Sequence, residues 1–136
     1  MNIHFWNIFH DGDIAAVTGI VPGDIEFFIE AEYLREQFSD PGIGFKLQIT
    51  ACSMMSFKSF RTNQTVSGIN ALKGCDLEIL SAKMDDKDLI VITTSGEIRL
   101  RYESEKITLD TGRQLQISDM ATASDKALAE HRKSTS

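Results

Sequence analysis

Apolar and polar residues alternate with a period of two along most of this chain, and the alternation breaks about every ten residues at Gly, Pro, Asp or Ser. Successive side chains of a strand point to opposite faces, so the pattern predicts strands, and the regular breaks predict an all-β meander, sandwich or barrel. Ile3 to His10 reads as the first strand, with Asp11-Gly12 as a type I′ turn because Gly accepts positive φ without cost. Asp13 to Gly19 reads as the returning strand, and Val21-Pro22-Gly23-Asp24 as a type II turn with Pro at its first central position. The clearest alternation follows. Ile25, Phe27, Ile29, Ala31 and Tyr33 share one face, and Glu26, Phe28, Glu30 and Glu32 share the other.

The alternation lapses over Tyr33 to Phe38, which predicts a short helical turn stopped by Ser39-Asp40-Pro41-Gly42. It resumes with Phe45, Leu47, Ile49 and Ala51 against Lys46, Gln48, Thr50 and Cys52, and Ser53 to Phe60 reads as a continuing bent strand or a packed loop. Val66 to Leu72 fits neither template. Leu77 to Met84 and Leu89 to Thr94 read as strands joined by the hydrophilic hairpin loop Asp85 to Asp88, the second apolar on both faces and therefore central. Ile98, Leu100 and Tyr102 alternate with Arg99, Arg101 and Glu103, a last hairpin returns through Ile107 and Leu109, and Leu115 with Ile117 adds a short strand. The predicted fold is thus mainly β: an antiparallel β-sandwich or half-open barrel of about seven to nine strands, with a short helix near residue 36 and a C-terminal helix. The alanine-rich, charged stretch from Asp119 to Arg132 supplies that last helix with only a thin apolar face, and Lys133 to Ser136 should fray. Residues 1–118 form one β-rich domain, and 119–136 a helix and tail.

Three features of the first half, Phe5-Trp6-Asn7-Ile8-Phe9-His10-Asp11-Gly12, Gly19-Ile20-Val21-Pro22-Gly23-Asp24 and Tyr33-Leu34-Arg35, resemble a group of small bacterial proteins of unknown function that share a WxxxHDG…GxVPGD…YLR pattern. Phe45 running into Ala51-Cys52 is a later echo. These are turn and core residues. The resemblance therefore implies a fold and carries no activity, cofactor or catalytic residue.

Composition narrows the function classes. A chain of 136 residues is long enough to bury a core without disulfides or metal. Its net charge of −6 argues against nucleic acid, whose phosphates demand cations. Two cysteines, Cys52 and Cys75, make neither a disulfide framework nor a zinc site. The opening residues lack a signal-peptide pattern and no run is long enough for a membrane span, so a cytoplasmic address is expected, with no membrane partner.

Candidate chemistry is sparse. His4, His10, Asp11 and Asp13 form the one local group of metal-capable side chains. On a strand, however, His4 and His10 would stand roughly 20 Å apart, so no metal and no cofactor are expected. No GxSxG elbow, phosphate loop or HExxH helix is present. Glu26, Glu30 and Glu32 lie side by side on one strand face, which suits a solvated surface better than paired acid–base work across a cleft. Phe28 among them is out of place on such a surface. Either another element covers that face, or Phe28 is an exposed anchor ringed by charge, as in a protein-binding hot spot. Arg99, Arg101 and Lys106 suggest a small basic patch unless they pair with Glu97 and Glu103.

Three functions follow as expectations. The first is a protein-interaction module that uses Glu26, Phe28, Glu30 and Glu32 to bind another protein, a specific version being an immunity protein that neutralises a basic toxin. The second is a homo-oligomeric structural protein with Phe28 at a subunit interface. The third is an enzyme, which would need a concave pocket gathering His10, a cysteine and a carboxylate.

Overall fold

A computed structural model describes residues 1–135, with side chains through Glu130. Ten strands form two antiparallel five-stranded sheets. The first has the order β1-β2-β3-β9-β10, built from β1 (Asp13–Gly19), β2 (Gly23–Glu30), β3 (Phe45–Cys52), β9 (Ser104–Leu109) and β10 (Gln114–Leu115). The second has the order β5-β4-β8-β7-β6, built from β5 (Thr65–Ser67), β4 (Met54–Ser59), β8 (Gly96–Arg101), β7 (Asp88–Thr93) and β6 (Ile79–Asp85). Helices α1 (Ile3–Ile8), α2 (Glu32–Arg35) and α3 (Ile117–Thr135) complete the chain, with a 3-10 turn at Ile69–Leu72.

The sheets are stitched at two corners. β3 runs into β4 and β8 into β9, and the two bent pairs stay side by side across the corner, with Ser53 N–H on the Arg101 carbonyl at 2.9 Å and Glu103 N–H on the Thr50 carbonyl at 3.1 Å. The turn in β3 occurs at Ala51, whose φ of 53° is left-handed. That residue breaks the alternation and swings Cys52, instead of Ala51, into the core. At the opposite corner β1 meets the residues leading into β6 through an isolated bridge between Asp13 and Glu78, with Ile14 N–H on the Leu77 carbonyl at 3.0 Å and Ile79 N–H on that of Gly12 at 2.7 Å. Strand pairing therefore runs in a closed circuit, and the inner faces make one core that includes Phe27, Phe45, Leu47, Ile98 and Leu109. β7 is interior to its sheet and buried on both faces, in agreement with its uninterrupted apolar run.

Several local expectations give way. Ile3 to Ile8 is a helix, not a strand. Its apolar positions 3, 5, 6, 8 and 9 satisfy a helical period as well as an alternating one. The Asn2 side chain decides the matter by capping the His4 N–H at 2.9 Å while Trp6 and Phe9 turn inward. Asp11-Gly12 ends this helix and does not form a type I′ turn: only Asp11 takes positive φ, at 69°. Gly12 is needed for closeness, since a Cβ there would stand 2.9 Å from the Phe9 carbonyl oxygen and 3.1 Å from the Ala31 Cβ. The Val21–Pro22 peptide is cis and Gly23 has a φ of 143°, well beyond the ~80° of a type II turn. β9 does not return along β8 as a hairpin, because its partner is β3 in the other sheet. Ile117 opens α3 and leaves β10 two residues long.

Helix α3 buries Met120 and Ala123 and lies against α1 and α2. Its thin apolar face is thus enough for docking. Of the stretch expected to fray, the helix is described to Thr135, and Ser136 lies outside the described residues.

Candidate functional site

The alternation of β2 holds from Ile25 to Glu30: Ile25, Phe27 and Ile29 are buried, Glu26 and Phe28 are half-buried and Glu30 is exposed on the outer face. Glu26 lies opposite Thr18 and Gln48, and its carboxylate accepts from the Gln48 amide at 3.2 Å. Glu32 leaves the sheet. The chain turns at Ala31 into α2, which places Glu32 in the first turn of that helix, where a carboxylate favours the exposed N–H groups. The predicted quartet is therefore a strip of Glu26, Phe28 and Glu30, with Glu32 displaced around the corner.

Phe28 is neither covered by a second layer nor a free-standing anchor. Its ring lies on the backbone of Gly44, close enough that a Cβ at residue 44 would sit 2.9 Å from the ring Cζ, and its cross-strand neighbours are Ala16 and Lys46. A glycine on β3's approach gives the ring a floor, which is why an aromatic side chain is tolerated outside the core. Phe28→Lys should therefore cost about 1–2 kcal/mol of packing and leave the chain folded, in contrast to the several kcal/mol of a charge placed in a core. Urea denaturation of the purified variant checks this, and loss of the folded baseline would place Phe28 in the core after all.

Beyond Glu30 the strip opens into a cleft of about 690 Å³ between the end of β1–β2 and the α2–β3 connection. Asp11, Asp13, Glu30, Glu32, Glu36 and Asp40 line it, and its one basic residue is Arg35. Arg35 is buried and its charge is committed to Asp110 at 3.0 Å. Asp40 is held by Arg113 through two hydrogen bonds of 3.0 and 3.1 Å. Asp13 stands directly opposite Glu30 across the β1–β2 ladder. Like charges so placed cost stability, so this face carries a charge density that folding alone does not favour.

The wall of the cleft is set by Arg35. Its guanidinium donates to the carbonyls of Asp40 at 2.9 Å, Pro41 at 2.8 Å and Gly44 at 3.2 Å as well as to Asp110. Asp110 accepts in turn from the N–H groups of Ile43 at 2.8 Å and Gly44 at 3.3 Å. Burial opposes ionisation of Asp110, but the Ile43 N–H, the Arg35 guanidinium and the Gly44 N–H together outweigh it and hold the carboxyl below its usual range.

Other predicted candidates are not brought together. His10 binds the Leu80 carbonyl through Nδ1 at 2.7 Å and faces Asp11 through Nε2 at 3.4 Å. The pocket beside it collects Tyr33 and Ser124 but no cysteine. Cys75 lines a separate groove. Cys52 is buried, donates to the Met54 carbonyl at 3.3 Å, and has its thiol pushed up by that burial, so it is a poor nucleophile. Tyr33 donates to the carbonyls of Ile8 and His10, and burial, reinforced by the charge of Asp11, pushes its phenol up. The histidine–cysteine–carboxylate pocket is thus not assembled. Among the described residues no group of three His, Cys, Asp or Glu side chains could hold a metal ion. Nor is there a basic patch. Arg99 pairs with Asp88 at 2.8 Å and Asp85 at 2.9 Å, Arg101 pairs with Asp88 at 2.7 Å, and Lys106 lies in the other sheet, on β9.

The larger acidic cleft has a sequence signature that strand-by-strand reading overlooks. Residues 11–40 hold Asp11, Asp13, Asp24, Glu26, Glu30, Glu32, Glu36 and Asp40 against the single cation Arg35, so the remaining residues are close to neutral. The chain's net negative charge therefore arises in one segment, and six of its carboxylates line the same cleft. No helix among the described residues is long and apolar enough to cross a membrane. No family model, curated protein or solved structure matches this chain.

Proposed function

We propose that this chain is a protein-interaction module whose acidic face, from Glu26, Phe28 and Glu30 across to Glu32 and the adjoining cleft, docks on a basic partner protein. The observation that carries this reading is the concentration of carboxylates there, of which Asp40 is paired with Arg113, with Asp13 set against Glu30 and the one cation lining the cleft, Arg35, turned inward to Asp110. Such a field raises the rate of encounter with a cationic surface and disfavours acidic competitors. Phe28, half-buried on Gly44, adds apolar contact area beside the charge. In its specific form the reading is that of an immunity-type protein that neutralises a basic toxin, working in the cytoplasm, where the free thiols of Cys52 and Cys75 are compatible with a reducing environment.

The test is capture from native cells with wild-type protein and with the double variant Glu30→Lys/Glu32→Lys as baits, followed by association kinetics on whatever basic protein is retained. The wild type should retain a basic partner whose association slows steeply with added salt, and charge reversal should cut the association rate by about tenfold or more at low ionic strength. Equal retention by both baits, or kinetics indifferent to salt, would remove the acidic face from the function.

A further inference from the structure

The edge of β1 differs from the other edges of the fold. It pairs with β2 on one side, and on the other is pinned only at Asp13 and Ile14, to Glu78 and Leu77 just ahead of β6. A bulge between Ile14 and Ala16 separates this pinned start from the segment Ala16–Gly19, for which no strand partner is found among the described residues on that side. From Ile14 to Gly23 the chain carries no ionisable side chain, although charged residues make up 25% of it. The neighbouring elements share most of this neutrality, Lys73 at the rim of the adjoining groove being the exception. Thr62 to Leu72, which includes the other free edge strand β5 and the 3-10 turn, has no ionisable residue either. That turn lies beside β1 and encloses with it a groove of about 310 Å³, whose apolar lining includes Ile14, Val17, Ile69 and Leu72. Ile20 is 76% exposed and Val66 is 53% exposed on the same segments. By contrast, the β6 edge carries Lys83 and Asp85, and β10 is two residues long with Arg113 beside it. Charge and shortness are devices by which sheet edges avoid pairing with other chains; β1 beyond Asp13 has neither, and its only protection is the bulge at Ile14–Ala16 and the 3-10 turn beside it.

We propose that the β1 edge is a self-association edge, at which two copies of this chain pair β1 with β1 antiparallel about a two-fold axis near Val17. Charge selects the occupant. A protein with a net charge of −6 repels its own copy over most approaches, and this flank brings two copies together without opposing carboxylates. An antiparallel, two-fold arrangement lets the same edge serve both copies. It extends the β1-β2-β3-β9-β10 sheet across the dimer, uses the open backbone groups of Ala16–Gly19, and sets the inward-facing Val17 of the second copy over the apolar groove. The acidic cleft stays free in each copy, so this proposal does not depend on the reading of that cleft.

Sedimentation equilibrium over a dilution series from millimolar to low micromolar protein tests it, with hydrogen exchange at the Ala16–Gly19 amides as a second readout. The wild type should dimerise, with those amides exchanging more slowly as concentration rises. Thr18→Lys places a cation on the edge opposite Glu26, a favourable cross-strand pair that keeps the monomer folded, and it should weaken dimerisation on the order of tenfold or more. Leu80→Lys, the same change on the exposed part of β6, should leave the dimer intact. A wild type that stays monomeric throughout the series overturns the proposal. So does a dimer that Thr18→Lys leaves unchanged, or one whose Ala16–Gly19 amides exchange at the same rate at every concentration.

Discussion

Replacing Arg35 with alanine should lower the unfolding free energy by about 3–5 kcal/mol, the usual cost of removing one partner from a buried ion pair. The loss is large because of what stays behind. Asp110 would keep its charge in a half-closed site without its cation, and the carbonyls of Asp40 and Pro41 would lose the donors that draw the α2–β3 connection onto the sheet. Thermal unfolding should show a fall of about 10–20 °C in midpoint. Arg35→Lys should recover only part of it, because an ammonium cannot reach three carbonyls and a carboxylate in the geometry of a planar guanidinium. The pH dependence identifies the cause. Asp110 is depressed below its ordinary value, so its contribution to stability is fully present above about pH 4 and is lost as pH falls through the lowered folded-state value. The gap between wild type and Arg35→Ala should therefore narrow in acid. In Asp110→Asn the acid limb should be shallower, with the remainder coming from Asp88, which Arg99 and Arg101 hold low against the opposing effect of burial. A gap that stays constant down to pH 2 would mean that Arg35 acts through packing alone.

Trp6→Ala should cost a similar amount, about 3–5 kcal/mol, for a different reason. Trp6 is fully buried, meets Phe27 edge to face at 5.1 Å between ring centres, and donates from Nε1 to the Tyr102 hydroxyl at 3.1 Å. That hydroxyl donates to Glu105 at 3.2 Å, and burial keeps the phenol neutral by pushing its pKa up. Truncation therefore opens a cavity and also unties a hydrogen-bonded chain from α1 through the β8–β9 corner. Trp6→Phe, which restores most of the volume but not the N–H, should recover more than half of the loss, leaving about 1–1.5 kcal/mol for the hydrogen bond. Neither loss should narrow as the pH falls below about 4, where the Arg35 gap closes, and this separates the pair from the Arg35 variants. Equal destabilisation by Phe and by Ala would make the hydrogen bond, and not the cavity, the dominant contribution.

Both residues sit inside the patterns that prompted the resemblance of the N-terminal half, and both do structural work: Trp6 anchors α1 in the core, and Arg35 shapes the wall of the acidic cleft. Residues that read as motif can thus build a site without forming its surface. Among those that do form it, Glu26 and Glu30 were legible as an outer strand face because the period of two is local and unambiguous there. Glu32 was not, since α2 begins at Glu32, one residue before the alternation lapses at Tyr33, and the packing of Leu34 and Arg35 sets that boundary. The additions from Asp11, Asp13, Glu36 and Asp40 required distant segments to meet, although the charge bias of residues 11–40 was open to view.

By itself the sequence determined the strand content, the buried face of β2, the central position of β7 and the presence of a C-terminal helix, and it left Ser53 to Phe60 open between a bent strand and a packed loop. Each of these rests on side-chain period and turn chemistry within a few residues. Tertiary structure decided the rest. It turned Ile3–Ile8 into a helix, because two apolar periods fit that segment and the choice fell to the Asn2 cap together with the burial of Trp6 and Phe9 in the core. It sent β9 to β3 and not back along β8, because a left-handed residue at Ala51 and a shared corner let two strands cross between sheets as a pair. It placed Phe28 on Gly44 and joined Arg35 to Asp110, contacts whose partners lie far enough along the chain that no local pattern encodes them.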